Sequence, residues 1–323
     1  MKNLTIVSAC DRKFLWGAFI LAASVARHLP KIPLHLLQTG FTAHEANLLS
    51  QFGNVHLLPL ADNNPRSVAN RKSEALLSAS TEYAAWLDAD CMIIGDVAAL
   101  LVPPNGQFQI RLREPWENAW VWRNHYAPGE PRGETPAAVL QRWRADVGQC
   151  RSPRLLTTCV TNAFVLHQRH FDFVRQWKSQ IAKVIPPADA GVVDTRNPAY
   201  FMTDESVLSS LLAFSTLAPA IGETVLNKDP RAHVAHFGAN PKPWVRWSHR
   251  TWYCNRHVLD LLDWAASVGV VLPPVPWSLR RHNRAPAWLI ACAENSFGKA
   301  KALAAKTLRP LLRRPARSLL AST

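Results

Sequence analysis

Apolar positions in the first hundred residues follow two alternating rhythms. Short unbroken runs at 4–9 (LTIVSA), 33–37 (PLHLL), 54–60 (NVHLLPL) and 83–87 (YAAWL) have the length and composition of buried β-strands. Between them, apolar residues recur at three- and four-residue steps. Leu15, Phe19, Ala22, Val25 or Ala26, and Leu29 mark one helix face, which Pro30 ends. Further helices are predicted over 43–52 and 69–79. Strand–helix alternation with apolar strands predicts an α/β fold, a central and mostly parallel sheet covered by helices on both faces. Ligands of such sheets bind beyond the carboxyl ends of the strands. The first strand ends at Ala9, Cys10 and Asp11, and the fourth at Asp88, Ala89 and Asp90. Acidic groups gathered in one crevice repel each other unless a cation lies between them.

Beyond Leu100 the rhythm loosens. The pattern predicts a strand over 107–112, then a long loop over 113–133 carrying Trp116, Trp120 and Trp122. A helix over 134–147 and a strand over 157–166 (TTCVTNAFVL) follow. Phe171, Val174, Trp177, Ile181 and Val184 mark another helix face. A helix near 204–214 opens on Thr203-Asp204-Glu205, acidic residues where a helix N-terminus favours them. A last amphipathic helix spans 255–267. Pro273, Pro274 and Pro276 then make a stiff connector, which puts the expected end of the compact domain, 1–278, before a tail over 279–323.

Composition changes this picture mainly at the tail. With 323 residues and 48% hydrophobic positions, the chain has ample material for a core, which excludes whole-chain disorder. The formal net charge is +14, and the segment 280–317 holds ten basic residues against Glu294. Arginines and lysines interleaved with Trp288, Leu289 and Ile290 are the pattern of segments that lie on anionic membrane surfaces, and no nucleic-acid partner is expected. The six cysteines form no C-x-x-C pair, so a zinc site is unsupported. No apolar run is long enough for a membrane span or a secretory signal. The expected location is cytoplasmic, peripheral on the inner face of the cell membrane.

Two elements carry chemistry. In Trp86-Leu87-Asp88-Ala89-Asp90, two carboxylates leaving a strand end are spaced to grip one hard divalent ion, Mg²⁺ or Mn²⁺, that also binds phosphate oxygens. In His236-Phe237-Gly238-Ala239-Asn240-Pro241-Lys242-Pro243-Trp244, a neutral imidazole can be a third metal ligand and a lysine can reach a phosphate. Each alone also fits an ordinary surface turn.

Together they resemble glycosyltransferase family 8, the glycogenin-like and bacterial lipopolysaccharide sugar transferases. The family pattern is an apolar strand, then L-D-x-D, then a late H-x-x-G-x-x-K-P-W. Leu87, Asp88, Asp90, His236, Lys242, Pro243 and Trp244 match it, while Ala239 stands at the family's glycine and Gly238 precedes it. Asp11 after Ala9 matches the acidic end of the family's first strand, although Cys10 departs from some members. Lys72, beside Arg71, matches a basic residue that contacts the donor. Asn162 matches the asparagine of a later strand. Asp204 matches the aspartate opening a helix, and Glu205 replaces the glutamine that follows it.

The resemblance implies a GT-A fold: a single Rossmann-like domain followed here by the basic tail. It implies a retaining, metal-dependent transferase that moves a hexose or related sugar from a nucleotide sugar, most often a uridine diphosphate sugar, to a glycan or glycolipid. Bacterial cell-surface polysaccharide or lipopolysaccharide synthesis is the implied setting. Asp88, Asp90 and His236 would hold Mn²⁺ or Mg²⁺. Ala9, Asp11, Arg71, Lys72, Asp88, Gly238 and Lys242 would bind the donor, and Asp204, Glu205 and Asn162 would flank the reacting sugar. Glu205 would act either as a nucleophile or as a partner of a donor hydroxyl. Trp116, Trp120 and Trp122, with Trp244, would line the acceptor site, or else pack the loop onto the body. The competing readings are an inactive nucleotide-sugar or glycan binder of the same fold, favoured by the changes at Cys10, Glu205 and Ala239, and a basic membrane-surface binder without catalysis.

Overall fold

A computed structural model describes residues 3–60, 67–103, 106–186, 191, 193–222, 224 and 233–296. Residues 297–323 of the predicted tail therefore lie outside the described residues. Two compact units divide the chain, Met1–His236 with Leu261–Pro273, and Phe237–Asp260 with the segment from Pro274 onward.

The first unit is built as the apolar rhythm predicts. Strands β1 (Leu4–Asp11), β2 (Leu34–Thr39), β3 (Val55–Pro59) and β4 (Tyr83–Leu87) alternate with helices α1 (Leu15–His28), α2 (Ala43–Ser50) and the short α3 (Lys72–Leu76). β5 (Cys91–Ile93) follows at once, then β6 (Phe108–Leu112), α4 (Pro115–Val121), α5 (Ala137–Val147), β7 (Cys159–His167), α6 (Phe171–Val184), α7 (Thr203–Phe214), β8 (Ile221–Gly222) and β9 (Val234–His236). Helix α8 (Asn255–Ser267) begins in the second unit's segment and ends in the first's.

The main sheet has seven strands in the order β3-β2-β1-β4-β7-β6-β8. β1 is parallel to β2 and β4, β2 to β3, and β6 to β8, whereas β7 runs antiparallel to both β4 and β6. The sheet is thus mostly parallel. The chain winds outward from β1 to β3 and returns on the other side of β1 as β4. That reversal opens a crevice at the carboxyl ends of β1 and β4, where Asp11 and the Asp88-Ala89-Asp90 turn lie.

Apolar packing on both faces explains why every residue of β4 is buried. On one face, Phe19 of α1 meets Phe52 edge-on. On the other, Trp86, Phe164 and Trp177 lie in a cluster reached by α6 and α7. A small second sheet pairs β5 with β9 in antiparallel register, Cys91 opposite His236. Neither of these three-residue strands is long enough to leave a periodic signal.

The segment expected as a long loop over 113–133 contains helix α4. Pro115 starts it with a fixed φ where a missing N–H costs nothing, and the Glu117 carboxylate accepts the Glu114 N–H. The helix separates the three tryptophans. Trp116 and Trp120 are 72% and 62% exposed, whereas Trp122 is fully buried. Trp122 packs edge-on against Trp143 and beside Phe201. It is therefore a core residue and presents no face to a sugar.

In the second unit, residues 284–296 are helical. Trp288 packs against Trp252 and stacks on His249, and the Trp247 indole donates to the Ser278 carbonyl.

Replacing Trp122 with Ala empties a closed site, so the expected loss is about 3–5 kcal/mol of unfolding free energy, against under about 1 kcal/mol for Trp116→Ala. Chemical denaturation of the two variants checks this; equal effects would contradict the packing.

Candidate active site

The turn after β4 sets the site. The Asp88 N–H donates to the Asn162 carbonyl on β7, and the Cys91 N–H closes back on the Asp88 carbonyl. Asp88 and Asp90 therefore flank a tight reversal between β4 and β5. Because Cys91 opposes His236 across β5 and β9, Asp90 is carried to the same place. The imidazole Nε2 of His236 lies 3.3 Å from Asp90 Oδ1 and 3.8 Å from Asp88 Oδ2. Pairing of two short strands thus joins residues far apart in the chain.

Asp88 is oriented from behind. Its Oδ1 accepts from the Trp86 indole at 2.7 Å and lies 2.9 Å from Lys72 Nζ, so the carboxylate turns Oδ2 toward His236. Asp90, Cys91 and His236 bring ligand atoms within 4.8 Å of one another, and Asp88 Oδ2 adjoins that group through His236; carboxylate oxygens with an imidazole suit a hard divalent cation. Cys91 Sγ also falls within reach of Asp90 and His236. Burial pushes its thiol far above the ordinary value, and its S–H is directed at the Asn162 carbonyl.

Lys72 is the hub of the site. Its ammonium donates to the Thr161 carbonyl at 3.0 Å and to Thr161 Oγ1 at 2.9 Å, and lies 3.3 Å from Asp204 Oδ2. It also sits 5.6 Å from the Trp86 ring centre. Burial alone would lower its pKa, but Asp204, Asp88 and Glu205 reverse that and keep it charged. Lys72 is buried, so it acts on the site through Asp88 and Asp204.

The start of α7 supplies two more carboxylates. Burial pushes Asp204 up to about 6, Glu205 and Asp88 add to the rise, and Lys72 and the Thr161 hydroxyl oppose it. Glu205 faces Arg113, which follows β6, at 2.5 Å. Its other oxygen accepts the Thr161 N–H at 3.1 Å. Burial would raise Glu205, but Arg113, Lys72 and that N–H outweigh it and hold the carboxyl below its usual range.

The remaining expected residues divide. Ala9 and Cys10 are buried at the end of β1, and Asp11 Oδ1 accepts the Lys13 N–H as a helix cap. Arg71 is buried and clasps Glu74 through two hydrogen bonds. Asn162 is buried beside the turn, with its carbonyl committed to Asp88. Gly238, Lys242 and Trp244 belong to the second unit, where Lys242 Nζ donates to the Phe237 carbonyl at 2.7 Å and Trp244 packs edge-on against Phe237. Sequence reasoning missed Arg113 and Thr161. A glutamate at a buried helix start implies a nearby cation, but nothing in the pattern says which of the chain's arginines supplies it.

No protein-family model and no curated sequence matches the chain. Solved structures match on the fold. The galactosyltransferase LgtC, crystallised with donor and acceptor sugar analogues, aligns over 84% of this chain and 98% of its own, with TM-score 0.50 and 12% identity. The fold is that of the GT-A glycosyltransferases. The bifunctional glycosyltransferase WbbM aligns over 88% of this chain and 52% of its own, with TM-score 0.54 and 11% identity. GlyE of Streptococcus pneumoniae aligns over 84% and 65%, with TM-score 0.50 and 12% identity. This chain thus spans about half of WbbM and somewhat under two thirds of GlyE.

Removing the hub should expose its electrostatic work. Lys72→Met leaves Asp88 and Asp204 without their buried cation, an expected cost of about 3–5 kcal/mol near neutral pH. Asp204 already titrates above an unfolded aspartate, so its contribution to stability is full below about pH 4 and lost as pH rises through about 6. Because Lys72 is what opposes the rise of Asp204, Asp204 holds its proton to higher pH in Lys72→Met than in the parent, so the deficit is expected to be largest at the alkaline end and to shrink as pH falls toward about 6, below which both proteins carry that proton. Thermal melts from pH 5 to 8 measure this; a pH-independent deficit would contradict it.

Proposed function

We propose that the chain is a metal-dependent, retaining glycosyltransferase that moves a sugar from a nucleotide sugar, a uridine diphosphate sugar first among them, to a glycan or glycolipid of the bacterial surface. The observation that carries this reading is the Asp88–Asp90–His236 cluster at the carboxyl end of β4, on a glycosyltransferase fold. The donor set fits Mn²⁺ or Mg²⁺, which when bound would neutralise charge on the departing diphosphate. Lys72 holds Asp88 in the orientation that aims Oδ2 at the cluster. Asp204, in the same pocket of charge, is suited to accept hydrogen bonds from donor hydroxyls and to stabilise positive charge developing on the sugar carbon. Asp11 keeps the donor-side role, and Asn162 the place beside the reacting sugar, that the family-8 resemblance implies. Trp116 and Trp120, exposed on α4, are the acceptor-side candidates that remain after Trp122 is assigned to the core.

The decisive experiment is release of nucleoside diphosphate from a panel of uridine- and guanosine-diphosphate sugars, with Mn²⁺, with chelator, and with Asp90→Ala. Hydrolysis of one donor, lost by at least about a hundredfold on chelation and in Asp90→Ala, is expected. Failure of Mn²⁺-dependent nucleotide binding and of hydrolysis would remove this reading.

The second unit supports membrane-surface attachment. Trp277, Trp288, Leu289 and Ile290 are exposed among Arg280, Arg281 and Arg284. No helix among the described residues is long and apolar enough to cross a membrane. Co-sedimentation with anionic vesicles is expected to fall with added salt and to fall about tenfold in Leu289→Glu; binding indifferent to both changes would refute it.

A further inference from the structure

Glu205 raises a problem that the proposed reaction does not solve. A carboxylate next to the reacting sugar is either a nucleophile or a fixed anion, and a nucleophile needs a lone pair directed at the sugar carbon. Both oxygens of Glu205 accept hydrogen bonds from within the protein, which fixes the orientation of the carboxylate. Oε2 takes the Arg113 guanidinium at 2.5 Å, and Oε1 takes the Thr161 N–H at 3.1 Å.

Arg113 is itself pinned. Its second terminal nitrogen donates to Thr158 Oγ1 at 3.0 Å and to the Cys159 carbonyl at 2.8 Å, and Thr158 Oγ1 donates to Asn118 at 2.9 Å. Arg113 and Glu205 are both buried, with side-chain exposures of 9% and 12%. The pair is built into the junction of β6, β7 and α7.

Behind Glu205 stands Thr161, which connects directly to the hub. Its carbonyl and hydroxyl both accept from Lys72, and its hydroxyl donates to Asp204. Lys72 is also attracted by Glu205. Without a counter-ion, Glu205 would compete with Asp88 for that ammonium.

We propose that Arg113 is a positioning residue for the cation site: it neutralises Glu205, leaves Lys72 to Asp88 and Asp204, and makes Glu205 a fixed acceptor behind Thr161 in place of a nucleophile. The chain of contacts runs from Arg113 through Glu205 and Thr161 to Lys72, and from Lys72 to the Asp88 carboxylate whose far oxygen faces His236. This inference rests on the reading of Asp88, Asp90 and His236 as a divalent-cation site.

The geometry dictates an unusual mutational pattern. Arg113→Met leaves a buried, unpaired carboxylate beside Lys72, and Mn²⁺ affinity is expected to fall at least about tenfold. Adding Glu205→Gln to it removes the surplus charge, while the amide oxygen can still accept the Thr161 N–H. The double variant R113M/E205Q is expected to recover to within about threefold of the parent. R113M/E205A removes that acceptor and is expected to stay low. Turnover should follow the same order.

The test is titration of the full-length protein and these variants with Mn²⁺ alone, followed by calorimetry, with diphosphate release as a second readout and near-ultraviolet circular dichroism as the check on folding. Recovery in R113M/E205Q but not in R113M/E205A supports the proposal. Unchanged Mn²⁺ affinity in folded R113M overturns it, as does loss of turnover by about a thousandfold in R113M/E205Q with Mn²⁺ affinity intact, the result a nucleophilic Glu205 requires. If R113M does not fold, the two double variants alone decide: equal Mn²⁺ affinity in R113M/E205Q and R113M/E205A overturns the proposal. Absence of Mn²⁺ binding by the parent protein overturns the cation-site reading itself, and this inference with it.

Discussion

One buried ammonium holds the site together. Lys72 has three protons and is shared among the Thr161 carbonyl, the Thr161 hydroxyl, Asp88 and Asp204. Those acceptors come from the turn after β4, from the middle of β7 and from the first turn of α7. Lys72 and Asp204 are buried and Asp88 is partly so, and the three elements are fixed relative to each other by a shared charge. The sheet order makes this possible, because β4 and β7 are neighbours and α7 packs along β7.

The same constraint explains why the start of α7 is more than a helix terminus with favourable charges. Asp and Glu in a first helical turn ordinarily face water, where the macrodipole favours them modestly. Here every residue of α7 is buried. The helix dipole alone cannot offset the loss of hydration of two carboxylates, and each has its own cation. The two environments push neighbouring groups in opposite directions, Asp204 upward and Glu205 downward. Divergent acidities of adjacent carboxylates are a common mark of an active site.

Much of the fold could be read from the sequence, because parallel α/β sheets bury strands on both faces and leave unbroken apolar runs. β4 falls at 83–87 and α8 at 255–267, as the pattern predicts. Elements whose stability comes from long-range pairing were not readable. β5 and β9 have three residues each and exist only by pairing with one another. Helix α4 was hidden inside a proline- and glycine-bearing segment, although Pro115 and Glu117 are ordinary helix-start residues. The aspartates and histidine of the cluster could be named from their spacing. Arg113 could not, since an ion pair across ninety positions leaves no periodicity.

Charge balance links the hub to the cluster. Among the described residues, Asp88, Asp90, Asp204 and Glu205 are four carboxylates within one connected set of contacts that also holds Lys72 and Arg113. Among these six groups the carboxylates outnumber the cations once Asp204 has ionised above about pH 6. Like charges at these separations are strongly unfavourable in a medium of low polarisability. A divalent cation beside Asp88, Asp90 and His236 would relieve that repulsion at the strand end where the proposed nucleotide sugar's diphosphate would also lie.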